Sequence, residues 1–260
     1  MKYSKNEWME LSSAKLFIAD DAQFFYNHSK EILEFNGGLI DKFKSSMSSE
    51  ILIKPIIRKK GKHEVFGIEA GNLNSQIRML LTQNFNNIKL EVNEINGVYY
   101  FSSSKDKKQI AGFDFALLNN KNNLIKLRNL CFGELKYSDG KKRWDKFLNL
   151  NTDLLPFSKQ ILRPDKYGEN ISSLISDTPL ILGEIQFGNW ALAYRDFFKI
   201  LKANVQTSVD CLIYICPTGD LENMLSDGIV TFNKTKKILQ EFQKVISVPV
   251  WLIGVDIKIN

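Results

Sequence analysis

The chain has 260 residues, 44% of them apolar and 25% charged, which is the composition of an ordinary globular protein long enough to hold a rigid site without disulfide or metal staples. Thirty-five Lys and Arg against 29 Asp and Glu give a formal charge of +6, compatible with a polyanionic partner because each neutralised phosphate releases condensed counterions. Met1–Glu10 is polar and no apolar run approaches a membrane span, so neither a secretory leader nor a spanning helix is expected, and the reading is of a soluble intracellular protein.

Residues 1–50 read as helical, with apolar groups at 14–19 and 23–35 broken at Gly37-Gly38. Ile51–Arg58 reads as a strand running into the basic stretch Arg58–Lys62, a solvated hairpin tip in the ordinary reading and a phosphate-contacting loop in the functional one. The spacing of Ile77, Leu80 and Leu81 predicts a helix over 74–85. Strands follow over 88–92 and 98–101, joined at Asn96-Gly97. The Lys-rich connection 105–108 then leads to an apolar strand over 110–118 with Asp114 in its middle.

Residues 119–178, rich in Asn, Lys and Asp, suggest an insertion with a few local elements. Beyond them the pattern is a strand over 179–187, a helix over 190–202, a strand over 209–216, a helix over 234–246 and a strand over 248–257. That alternation predicts an α/β sheet at the C-terminal end. Cys131, Cys211 and Cys216 form no CxxC pair; two of them sit in an apolar strand, so reduced core thiols are expected.

The chemistry concentrates in Pro-Leu-Ile-Leu-Gly-Glu-Ile-Gln-Phe-Gly-Asn-Trp, residues 179–190. On a strand, Glu184 and Gln186 project from one face, and two polar groups there are costly unless partners, water or a metal satisfy them. The arrangement resembles the PD-(D/E)xK nucleases with glutamine at the lysine position. With the following helix carrying Arg195-Asp196, the segment 183–189 is similar to the BglII and BstYI type II restriction endonucleases. The resemblance extends over roughly 72–119 and 179–257.

That resemblance implies a restriction-endonuclease-like α/β fold, a central mixed sheet flanked by helices. It implies one such domain over 1–260, with an N-terminal helical/β region at 1–71 and the insertion within the core. It further implies Mg2+-dependent cleavage of double-stranded DNA at a short sequence by a homodimer in the bacterial cytoplasm, with Asp114 and Glu184 as metal ligands and Gln186 as the third catalytic residue.

Alternatives stay open at several positions. Asp177 rivals Asp114 as the first carboxylate, although on one extended strand it would lie roughly 23 Å from Glu184. Glu134 and Lys136 form a competing E-x-K. Glu69 reads as a surface acid or an outer-sphere one, and Arg195-Asp196 as a helix-surface pair in preference to a support for the site strand. Trp190 reads as a packing residue, and nothing supports a mechanism built on His28 or His63. A non-catalytic DNA-binding protein and a DNA-repair nuclease on the same fold are the competing functions.

Overall fold

The computed structural model describes residues 3–60, 63–101, 112–175 and 178–259. Helix α1 (Lys5–Glu10) opens with a capping box in which Ser4 accepts from the Glu7 N–H and Glu7 accepts from the Ser4 N–H. The next segment corrects the helical expectation. Ser13–Tyr26 is a long strand, β1, with Ala14 and Leu16 buried on either side of exposed Lys15. That period of two is a strand's, and the apolar C-terminal strand supplies its antiparallel partner. Helices come only afterwards, α2 (Ser29–Phe35) and α3 (Leu39–Ser46).

What read as one strand is two, β2 (Glu50–Leu52) and β3 (Pro55–Lys60). Strand β4 (His63–Ile68) pairs with β3 with Lys60 opposite His63, so the basic stretch belongs to a hairpin whose residues 61 and 62 lie outside the described residues. Arg58 turns inward and donates to the carbonyls of Met224, at 2.9 Å, and Leu225. Helix α4 (Ala70–Asn84) buries Leu73, Ile77, Leu80 and Leu81, the face its spacing predicts. Strands β5 (Ile88–Ile95) and β6 (Val98–Tyr100) form a hairpin whose two turn residues, Asn96 and Gly97, have φ of 52° and 80°. A two-residue turn with both φ positive matches the strand twist, which is why Asn-Gly stands there. The Lys-rich connection 105–108 lies outside the described residues; β7 (Phe113–Leu117) follows it and carries Asp114.

The segment 119–178 is more ordered than its composition suggests. It forms α5 (Asn120–Phe132), α6 (Gly140–Leu150) and α7 (Leu155–Ile161). Leu124, Leu127, Trp144 and Phe147 from these helices join the apolar layer on one face of the main sheet. Arg128, wholly buried, donates to the carbonyls of Lys166 and Glu169 and so fastens the return of the segment.

The C-terminal alternation holds: β8 (Ile181–Ile185), α8 (Ala191–Thr207), β9 (Cys211–Pro217), α9 (Gly219–Met224), α10 (Phe232–Glu241) and β10 (Val250–Lys258). One eight-stranded mixed sheet runs in the order β2-β1-β10-β9-β8-β7-β5-β6, with β8, β9 and β10 parallel and β7 antiparallel to β8. Alternate residues of β9 feed opposite layers. Leu212 and Tyr214 meet Phe197 and Ile200 of α8, while Ile213 and Ile215 join the layer of Phe43, Ile77 and Leu81. The three cysteines are buried free thiols, and burial pushes Cys211 up to about 12. Among the described residues no helix is long and apolar enough to cross a membrane.

Gly183 sits directly opposite Phe115 in the β7–β8 pairing, and a methyl group on it would overlap the Phe115 ring. Gly183→Ala is therefore expected to cost about 1–3 kcal/mol of stability through overpacking. Thermal unfolding measures this, and an unchanged melting temperature would show that the ring can move aside freely.

Candidate active site

Two antiparallel neighbours build the site. The β7–β8 register pairs Phe115 with Gly183, so its continuation by one residue stands Asp114 opposite Glu184. Directly opposed residues have Cα atoms about 4.5–5.5 Å apart and side chains on one face. Asp114 Oδ2 accepts from the Ile185 N–H at 2.7 Å, which ties the first acid to the strand of the second. The helices over 120–161 occupy the long stretch between the two acids, so their separation in sequence does not keep them apart in space.

Glu184 is 3% exposed and faces α8. The Lys199 ammonium lies against its Oε1 as a buried ion pair. Gln186 is buried as well. Its Nε2 donates to Asp196 Oδ2 at 2.9 Å, and its Oε1 accepts from the Gly188 N–H at 2.9 Å.

Asp196 corrects the expectation of a surface pair. It is wholly buried, accepts from Gln186, from Tyr214 Oη at 3.2 Å and from Arg195 Nη2 at 2.9 Å, and lies 3.7 Å from Lys199 Nζ. Only Arg195, with a half-exposed side chain, reaches the surface. The signal was in the sequence: Asp196 falls on the buried stripe of Ala193, Phe197, Ile200 and Ala203 on α8.

Helix α4 contributes two residues that the sequence did not single out. Asn74 Nδ2 donates to the Ile185 carbonyl at 3.1 Å, and Arg78 bridges Asp114 and Glu91. The rivals lie elsewhere. Glu134 and Lys136 are exposed in a bend after α5 and belong to no strand; Asp177 lies outside the described residues. Glu69 pairs with Lys54 at 2.5 Å near the surface, and Trp190 packs edge-on against Tyr194. A cavity of about 1060 Å³ runs along α6 between Phe101, Arg143 and Lys146, and none of Asp114, Glu184 and Gln186 lines it. Among the described residues no group of three or more His, Cys, Asp and Glu is arranged to hold a metal.

Burial holds the Glu184 carboxyl well above its ordinary range; Lys199 opposes this, and the neighbouring Asp114 and Asp196 add to it. Burial also raises Asp114, against the pull of Arg78 and Lys199. An acid raised in the fold contributes its full stability below its unfolded value, near 4.5 for Glu184, and loses it as pH climbs through the folded value. Without added metal, the melting temperature of the wild type should therefore fall relative to Glu184→Gln as the pH is raised above about 4.5. Melting curves in EDTA test this, and parallel curves for the two proteins would contradict it.

No curated protein matches the sequence significantly. A crystal structure of the restriction endonuclease BglII bound to a DNA 16-mer superposes with a TM-score of 0.45 at 15% identity, covering 89% of this chain and 74% of that one. The family model for the restriction endonucleases BglII and BglIII matches residues 22–255. With the greater part of its length matched, the chain belongs to the BglII/BglIII family of type II restriction endonucleases.

Proposed function

We propose that this enzyme hydrolyses phosphodiester bonds of double-stranded DNA at a short specific sequence, that Mg2+ is its cofactor, and that it works as a homodimer. The observation that carries the reading is the pair of opposed acids, Asp114 and Glu184, brought together on neighbouring strands with Glu184 buried. Carboxylate oxygens suit a hard cation that keeps several of its waters, so two protein ligands are enough. Asp114 and Glu184 would hold the ion, which supplies water activation and charge neutralisation at the phosphate when bound.

The chain's own groups do the rest. Arg78 and the Ile185 N–H orient Asp114, and Lys199 faces Glu184. Gln186 is fixed by Asp196 and Gly188, and the second N–H of its amide is the one left to meet the substrate. A symmetric site read by a two-fold dimer suits the family. Phe198 and Val205, exposed on the outer side of α8, support a second copy covering that helix.

The test is cleavage of mixed plasmid and phage DNA with Mg2+ or with EDTA. Discrete bands that need Mg2+ are expected, and sequencing their ends would give the site. Smears without a preferred sequence would point to a repair nuclease, and binding without cutting to a non-catalytic DNA-binding protein. Sedimentation of the free protein at monomer mass, with cleavage first order in a single chain, would remove the homodimer from the reading.

A further inference from the structure

The strand motif Glu184-Ile185-Gln186 carries an acid and a neutral amide but no cation, and the amide is turned towards Asp196 and the Gly188 N–H. A positive charge reaches the acid from another element. Lys199 of α8 sets its ammonium against Glu184 Oε1, donates to the Gly112 carbonyl at 2.9 Å and lies 3.7 Å from Asp196 Oδ1. Its Nζ stands 4.7 Å above the Phe113 ring, and its side chain is only 15% exposed. The other nearby cations are engaged differently: Arg78 holds Asp114 and Glu91, and Arg195 holds Asp196.

Resting on the nuclease reading, we propose that Lys199 is the built-in cation of this centre, standing from α8 where Gln186 leaves β8 neutral. It fixes the Glu184 carboxylate and competes with the divalent cation for Oε1. Lys199 acts through Glu184 and is therefore a positioning residue. A lysine that merely docks α8 on the sheet behaves differently when removed. Losing it would loosen Glu184 and leave metal binding unchanged or weaker. Losing a competing cation instead frees the carboxylate, so metal binds more tightly while the acid is less well placed for the reaction.

These opposite signs make the test. Mn2+ binding to the full-length protein is measured by calorimetry without DNA, for the wild type, Lys199→Met and Lys199→Gln, beside single-turnover cleavage at saturating metal. Methionine keeps an unbranched stem against Phe113; glutamine is the second variant should the first not fold, as judged by circular dichroism. The folded variant is expected to bind Mn2+ about tenfold more tightly and to cut roughly 10²-fold more slowly, the scale of a catalytic group misplaced by about 1 Å. A folded variant that binds Mn2+ no more tightly than the wild type, or cuts at the wild-type rate, overturns the proposal. A wild type that neither binds Mn2+ nor cuts any DNA overturns the nuclease reading beneath it, whereas a cutting wild type with unmoved Mn2+ affinity in the variant overturns the role of Lys199 alone.

Discussion

If Asp114 and Glu184 hold the cation as proposed, Glu184→Ala and Asp114→Ala should each lower DNA cleavage by roughly 10³-fold or more, several kcal/mol of transition-state stabilisation at about 1.36 kcal/mol per tenfold. The losses should be similar in size, since the two acids face one another across a single β7–β8 pairing and either one alone is a poor site. DNA affinity in EDTA should change little, because phosphate contacts and not these acids carry the metal-free binding. Glu134→Ala is the control. Glu134 is exposed in a bend, and its loss should leave cleavage at the wild-type rate. Asp177→Ala separates the two candidates for the first carboxylate. If it abolishes cutting while Asp114→Ala retains it, the pairing of Asp114 with Glu184 is not the metal site. Persistent bands in Glu184→Ala together with their loss in Glu134→Ala would transfer the site to the E-x-K segment.

What could be read from the sequence follows the range of the forces involved. Strands β8, β9 and β10 announce themselves because parallel strands covered on both faces become nearly unbroken apolar runs, and α8 shows its buried stripe. Glu184 and Gln186 were legible for the same reason, as two polar side chains at a spacing of two in such a run. Strand β1 was hidden because its partner lies at the other end of the chain, and a short apolar group gives no view of a partner so remote. The helices of 119–178 were masked by asparagines. Asn123 looks like a loop residue, yet its buried amide clamps the Tyr99 backbone, accepting from the N–H and donating to the carbonyl, both at 2.8 Å. Around the acids the limit was similar. Arg78 and Asn74, four apart on α4, have the look of an ordinary polar helix face until β7 and β8 are brought beneath them.

Asp196→Ala is expected to be the most damaging substitution for the fold itself, at about 3–5 kcal/mol, the usual cost of removing one partner from a buried charged network. Its carboxylate takes hydrogen bonds from Gln186 Nε2, Tyr214 Oη and Arg195, with Lys199 alongside, and none of its side chain is exposed. Removing it strands the amide and the phenol in an apolar layer where water does not replace the lost acceptor. The melting temperature should drop by roughly 6 °C or more at this chain length. Asp196→Asn keeps the volume but replaces one accepting oxygen with a donor, so either Arg195 or the pair Gln186 and Tyr214 must lose its acceptor, and an intermediate loss is expected. The order Ala, then Asn, then wild type in rising melting temperature is the result that identifies Asp196 as an acceptor for several donors at once. If Asp196→Asn melts like the wild type while Asp196→Ala does not, volume rather than charge holds α8 against β8. Gln186 would then owe its position to packing and the Gly188 N–H alone.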